Sequence, residues 1–396
     1  MSNRRSKSSP PPLSQQVRQA MLTTLEKYVP LVIEGRQLDD TKLWDIMLYA
    51  SVHQTTIETA CTELADTPSG NTVREHLAAA LGPTALEVVG VEDQLNAALH
   101  GQLPGPVRRY LRRHTLEVGI DLVEIPYQGE PACTPDELRR GKAKGGTTHF
   151  HTYATLAIVH HGQRYELALT FGWAGESMAE VVERLLQRGR HLGLQIRRAY
   201  LDKGFAQQPV YDLLQGQKIP YLIPLPRRGT TGGVTALCQG KRSYRTTHTF
   251  NAGTARAYPA QVLLIRRRHR RRGKRPKIEW FPYTAYGLDR IPLHQIFALY
   301  RRRFGMESGY RQLHDLRART TSPNPTWRLL FVGLGLLLYN LYILLRPLYR
   351  TCRSYGQRTR AIGLSLKRMT LSLSRTIEQL LGIAPITART VTWMKT

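Results

Sequence analysis

The chain has 396 residues, of which 41% are hydrophobic, enough for two or three domains with a sizeable core and too apolar for a disordered chain. Lys and Arg number 57 against 29 Asp and Glu, a net charge of +28 with a sequence pI near 10.4. That balance creates a long-range positive field and favours a polyanionic partner, nucleic acid first and an anionic membrane surface second.

The four cysteines, at 61, 133, 238 and 352, lack zinc-knuckle spacing and read as reduced thiols of a cytoplasmic protein. The N-terminal MSNRRSKSSPPP has no apolar run of the secretory kind, and residues 1–13 read as disordered. Residues 14–110 carry apolar repeats of helical period and read as an all-α domain, a candidate for binding DNA ends. Within it, 55–77 has a helix-turn-helix outline, with Asn71, Thr72 and Arg74 leading the second helix. Plain helical packing fits the same residues.

At about residue 115 the period changes. TLEVGIDLV (115–123) is strand-like and is expected to stop at Pro126. A basic loop with Arg139, Arg140, Lys142 and Lys144 follows, then a hairpin of THFHTYATLAIV and QRYELALTF. An amphipathic helix (178–193), a strand (195–202), a short helix (209–217) and a strand (219–225) complete a mixed α/β sheet over 111–227. The order matches ribonuclease-H-like nucleases. Residues 228–290 read as a β-rich basic insertion holding RRRHRRRGKRPK (266–277), nine Arg or Lys in twelve residues. There Arg266, Arg267, Arg268, Arg270, Arg271 and Arg272 are candidates for gripping backbone phosphates, the alternative being a solvated loop. Trp280 and Phe281 fit either base stacking or packing within the insertion. Helix returns at Pro292 through about His314, continues in 291–346 as core helices, and a basic helical tail fills 347–396. The apolar run 329–345 is shorter than a membrane span and reads as a buried core helix, so no membrane partner is expected.

Phosphoryl transfer on DNA calls for carboxylates that hold hard divalent ions. Asp121 stands inside an apolar strand, where Asp is disfavoured. Its plain alternative is a pair with one of many arginines, and Glu124 and Glu130 compete for the role. Asp202 ends a strand before a Gly-containing turn, a common site position, although an Asp there also caps turns. Tyr300, Arg303, Glu307 and His314 fall within about a 60° arc of one helix face at 100° per residue. An exposed Arg303–Glu307 pair is the plain alternative.

YRRRFGMESGYRQLH (300–314) resembles the Tyr-x2-Arg-x3-Glu-x6-Lys signature of insertion-sequence transposases of the large group named after insertion sequence four. GIDLVEIPYQG (119–129) and AYLDKGF (199–205) resemble that group's two Asp motifs, and the nearest likeness is to members first described in archaea. The resemblance covers roughly 115–345 and implies a ribonuclease-H-like core with a β insertion between the second Asp and the Glu. It implies that Asp121, Asp202 and Glu307 hold two Mg²⁺, with Mn²⁺ substituting. Their task is to free a 3′-OH at a transposon end for attack on target DNA. Tyr300, Arg303, Arg311 and Lys203 would contact the DNA, and a homodimer would pair two double-stranded ends. His314 stands where the signature has Lys, so its phosphate contact would depend on imidazole protonation. Two rival classes share the composition: a DNA-binding protein without catalysis, and a basic membrane-surface protein leaning on 329–345.

Overall fold

The computed structural model describes residues 12–33, 35–159, 164–227, 232–271, 274–303, 315–355 and 358–385. The chain divides into two compact units. One comprises Met1–Gly82, Gln312–Ser322 and Thr326–Thr396; the other comprises Pro83–Arg311 and Pro323–Pro325.

In the first unit lie α1 (Leu13–Tyr28), α2 (Asp40–His53), α3 (Ile57–Glu63) and α4 (Gly70–Ala80). Arg18 grips buried Asp45 with a two-pronged contact, Nε to Oδ1 at 2.8 Å and Nη2 to Oδ2 at 2.7 Å, tying α1 to α2. Helices α3 and α4 cross so closely that a Cβ on Gly70 would stand 2.7 Å from the Glu58 Cα, so only glycine fits there. The residues expected to lead toward DNA have partners inside this hairpin. Asn71 donates to Glu75 Oε1 at 2.6 Å, and Arg74 pairs with Glu58 at 3.0 Å.

Helices α5 (Ala85–Gly101) and α6 (Gly105–Arg113) belong to the second unit with the large sheet. Thr84 and Glu87 form a capping box that starts α5. The sheet begins with β1 (Thr115–Tyr127), β2 (Arg139–Lys144), β3 (Thr147–Ile158) and β4 (Glu166–Gly172). After α7 (Met178–His191) come β5 (Gln195–Leu201), α8 (Gln208–Gly216) and β6 (Tyr221–Pro224). A five-residue helix α9 (Gly233–Leu237) precedes β7 (Tyr244–Phe250), β8 (Tyr258–Arg271) and β9 (Lys274–Tyr286). The strand order is β2-β3-β1-β5-β6-β9-β8-β7, with β4 also on β3. β1 runs antiparallel to β3 and parallel to β5, and β5 parallel to β6. A Ser177–Glu180 capping box opens α7, and Gly193 at φ +75° ends its turn and returns the chain to β5. Such a parallel pair needs a helical crossover, which α7 and α8 supply.

Several elements depart from expectation. β1 continues through Pro126, because residues 121–127 pair with β3 alone and a missing N–H on the free side breaks no ladder bond. The expected basic loop at 139–144 is strand β2, turned back onto β3 by Gly145 and Gly146 at positive φ. Within the β-rich insertion, strands β7 to β9 are long and join the main sheet through the antiparallel β6–β9 pair. α10 (Leu293–Arg301) follows in this unit, with Arg302 and Arg303 in a turn beyond it.

α11 (Pro325–Leu345) is long and apolar enough to cross a membrane, and the stretch that qualifies is 94% buried in the protein. After it, 350–363 is a strand pair, β10 (Arg350–Tyr355) with β11 (Arg358–Gly363), and α12 (Leu366–Leu381) packs on α1. The C-terminal segment is therefore not wholly helical: alternating Arg with Thr, Cys and Ile suits paired strands better than a helix.

Candidate active site

Asp121 sits on β1 opposite Thr155 of β3, in the middle of the sheet, and is 7% exposed. Its Oδ1 accepts the Leu122 amide at 2.9 Å and stands 2.7 Å from Arg303 Nη2. Asp202 follows β5, the parallel neighbour of β1, so both carboxylates emerge on adjacent strands. Asp202 precedes a 3-10 turn, Lys203–Phe205, but makes no side-chain cap to it. Its Oδ1 instead lies 3.6 Å from Arg303 Nη1. One guanidinium, 3% exposed, thus bridges two acidic groups.

Tyr300 fixes that guanidinium. Its phenol oxygen accepts from Arg303 Nη1 at 2.8 Å and donates to the Leu201 carbonyl at 3.3 Å, next to Asp202. The hydroxyl uses its proton in this way, and burial raises its pKa well above the ordinary phenol range. Tyr283 packs beside its ring at 5.2 Å. Lys203 is exposed at the rim.

Burial pushes the Asp121 carboxyl up to about 6, and the charge of Asp202 adds to this, while Arg303 pulls it down. Two carboxylates forced together in a partly dry place demand a cation, and Arg303 here stands in for one. Hard oxygen donors from two rigid strands suit a divalent ion of the Mg²⁺ class. Among the described residues no third His, Cys, Asp or Glu completes a metal cluster. Glu307, Arg311 and His314 lie outside the described residues, as does Arg272.

Glu166 was not singled out from the sequence. It begins β4, is 4% exposed, and burial pushes its carboxyl up to about 7. Thr155, opposite Asp121, donates to it, and the Asp121 charge acts on it. The signal was present: an acid inside the apolar strand YELALTF carries the same anomaly that identifies Asp121.

The basic run forms the outer part of the β8–β9 hairpin, with Arg266 opposite Trp280, Arg267 opposite Glu279 and Arg268 opposite Ile278. Beyond Leu264 no β7 partner accompanies it, so a two-stranded ribbon leaves the sheet. Arg267 stacks on Phe297 at 4.0 Å and Arg268 is exposed. Arg270 and Arg271 continue β8. Trp280 packs against the cluster of Leu225, Val234, Val262 and Leu264, and Phe281 against Phe297, so both aromatics serve packing. The ribbon is a separate basic feature of the same unit.

Residues 120–341 match the transposase DDE domain family, just over half of the chain and including Asp121, Asp202 and Arg303. No curated protein matches. Among solved structures, a piggyBac transposase synaptic complex with hairpin DNA is similar, with 12% identity and a TM-score of 0.46 over 97% of this chain and 77% of that one.

Proposed function

This chain belongs to the transposase DDE domain family, and from that premise we propose that it cuts DNA at the ends of an insertion sequence and joins them to target DNA. The observation that carries the reading is the meeting of Asp121 and Asp202 on one buried guanidinium. The family's chemistry relies on divalent ions, here expected to be two Mg²⁺ with Mn²⁺ as substitute. When bound, such a pair supplies charge stabilisation to the attacking and leaving oxygens of an in-line displacement.

The chain's own residues prepare for that chemistry. Asp121 and Asp202 present oxygens from adjacent strands, and Glu307 is the third ligand of the proposal. Arg303 neutralises both aspartates before loading and, once they are neutralised otherwise, is free to face the DNA phosphate. Tyr300 holds it in place. Lys203, Arg311, His314 and the basic run Arg266–Arg272 contact backbone phosphates. Strand order β4-β3-β1-β5-β6, antiparallel then parallel, supports a ribonuclease-H-like core. The Tyr300–Arg303–Glu307 spacing supports membership of the insertion-sequence-four group. Two copies would pair two ends at the nucleoid.

The test is cleavage of a duplex carrying the element's own ends. Wild type with Mg²⁺ or Mn²⁺ should nick at the element boundary, and Asp121→Asn, Asp202→Asn and Glu307→Gln should each bind the duplex without nicking it. Specific binding by wild type with no cleavage in either metal would leave a non-catalytic DNA-binding protein.

A further inference from the structure

Toward the other end of β1 and β5 from the aspartates lies a cavity of about 690 Å³, lined in part by Tyr110, Glu117, Arg164, Arg197, Arg301 and Arg302. Glu117 is already neutralised, by Arg198 at 2.9 Å and Arg302 at 3.3 Å. Arg164, Arg197 and Arg301 have no ion-pair partner among the described residues, so the cavity carries an excess of cations.

Two details show that these groups are aimed. The Nε of Arg164 is buried and lacks a hydrogen-bond partner among the described residues. Leaving such a donor unmade costs about 1–3 kcal/mol, so a ligand that accepts from it gains by doing so. Arg197 is the extra residue of a β-bulge: Leu116 pairs with Ile196 and Glu117 with Arg198, so Arg197 is skipped. A bulge re-aims the side chain it displaces, and here it delivers a guanidinium to the cavity wall. Tyr110 is 40% exposed beside it and stacks on His114 at 4.0 Å.

Planar guanidinium forks match phosphate oxygens in pairs. Glu117 and Asp121 are four residues apart on β1, with the bulge on the neighbouring strand, so both face the same side about 13 Å apart. That is the length of about four base pairs of duplex. We infer that this cavity is a second phosphodiester-backbone site, holding the same DNA duplex a few base pairs from the phosphate cut at Asp121 and Asp202. The inference rests on the DNA transposase reading.

The test uses the full chain and a 40-base-pair random-sequence duplex, with fluorescence anisotropy read across a KCl series. Each phosphate contact adds about 0.9 to the slope of log affinity against log salt. Arg197→Ala and Arg301→Gln should each make the slope shallower by about 1, and the double variant by about 2, with unchanged thermal melting. Two single variants at separate elements guard against a folding defect in either one. A wild-type slope in the double variant overturns the cavity proposal. The end-cleavage assay separates the two readings. Cleavage by wild type together with unchanged slopes sinks the cavity alone. Shallower slopes without any cleavage by wild type sink the catalytic reading and leave the cavity standing.

Discussion

Arg303 Nη2 lies 2.7 Å from Asp121 Oδ1, a buried ion pair joining the turn after α10 to the middle of β1. The same guanidinium reaches Asp202 and Tyr300, so removing it strands two acids at once. Breaking a buried pair from one side costs about 3–5 kcal/mol. Arg303→Ala should therefore lower the stability of the metal-free protein by that order in urea melts. If Arg303 stands in for a cation, added Mg²⁺ should stabilise Arg303→Ala more than wild type. Equal metal-induced shifts in both proteins would show that the guanidinium and the ion do not compete.

Asp121 predicts a pH dependence of metal loading. A carboxylate ligand must be deprotonated to bind, and burial with the Asp202 charge holds Asp121 protonated up to about 6. Apparent Mn²⁺ affinity, measured by calorimetry, should be nearly level from pH 7 to 8. It should fall about tenfold per unit below pH 6 as the proton competes. Asp121→Asn should bind weakly at every pH and lose the step. A wild-type profile without a break near pH 6 would contradict this placement.

Much of this site could be read along the chain, and for one reason. Asp121 and Asp202 each interrupt an apolar strand or its end, and the alternation that makes β1 and β5 is local. Tyr300 and Arg303 were legible through their spacing, although the helix expected to carry both ends at Arg301 and a turn brings them together. What failed to show was non-local. The antiparallel β6–β9 pair joins strands about 60 residues apart, so the attachment of β7–β9 to the main sheet leaves no trace in periodicity. Pro126 marks a strand end only when both flanks are paired, and the partner on one side was not knowable. Glu166 and Arg197 were hidden differently. One gains meaning from Thr155 across the sheet, the other from a register skip.

Glu166 predicts an unusual stability profile. Its folded carboxyl lies near 7 against an ordinary value of 4.5, so the fold binds a proton that the unfolded chain releases. A raised carboxyl stabilises below the unfolded value and loses that contribution as pH climbs through about 7. At 1.36 kcal/mol per unit, the loss between pH 5 and 8 is about 2–3 kcal/mol. Glu166→Gln keeps an acceptor for Thr155 without a charge. Its unfolding free energy should thus fall less than that of wild type by about that amount over the range. Parallel curves for the two proteins would mean that Glu166 ionises freely in the fold.

The outer edge of β4 yields the last expectation. Glu92 of α5, 4% exposed, accepts the Phe171 amide at 2.6 Å, the Thr170 hydroxyl at 2.9 Å and Arg188 Nη2 at 2.6 Å. One turn on, Asn96 donates to the Leu169 carbonyl at 2.8 Å and accepts its amide at 2.9 Å. Helix side chains thereby complete the hydrogen bonds of a strand edge that would otherwise invite pairing with another chain. Asn96→Ala leaves a backbone donor and acceptor unmade, at about 1–3 kcal/mol each. Glu92→Ala should cost about 1–3 kcal/mol for each of the Phe171 amide and the Thr170 hydroxyl, which lose their acceptor, while part-exposed Arg188 keeps Asp93 at 2.8 Å. β3 separates β4 from β1, so Asp121 keeps its own ladder, and end cleavage at 20 °C should survive in both variants while their melting temperatures drop. The double variant should also self-associate on mild heating, as light scattering would report, through the uncovered β4 edge. If both variants melt like wild type, or if cleavage vanishes before stability does, the helix does not serve as an edge cover and the residues act on the catalytic strand directly.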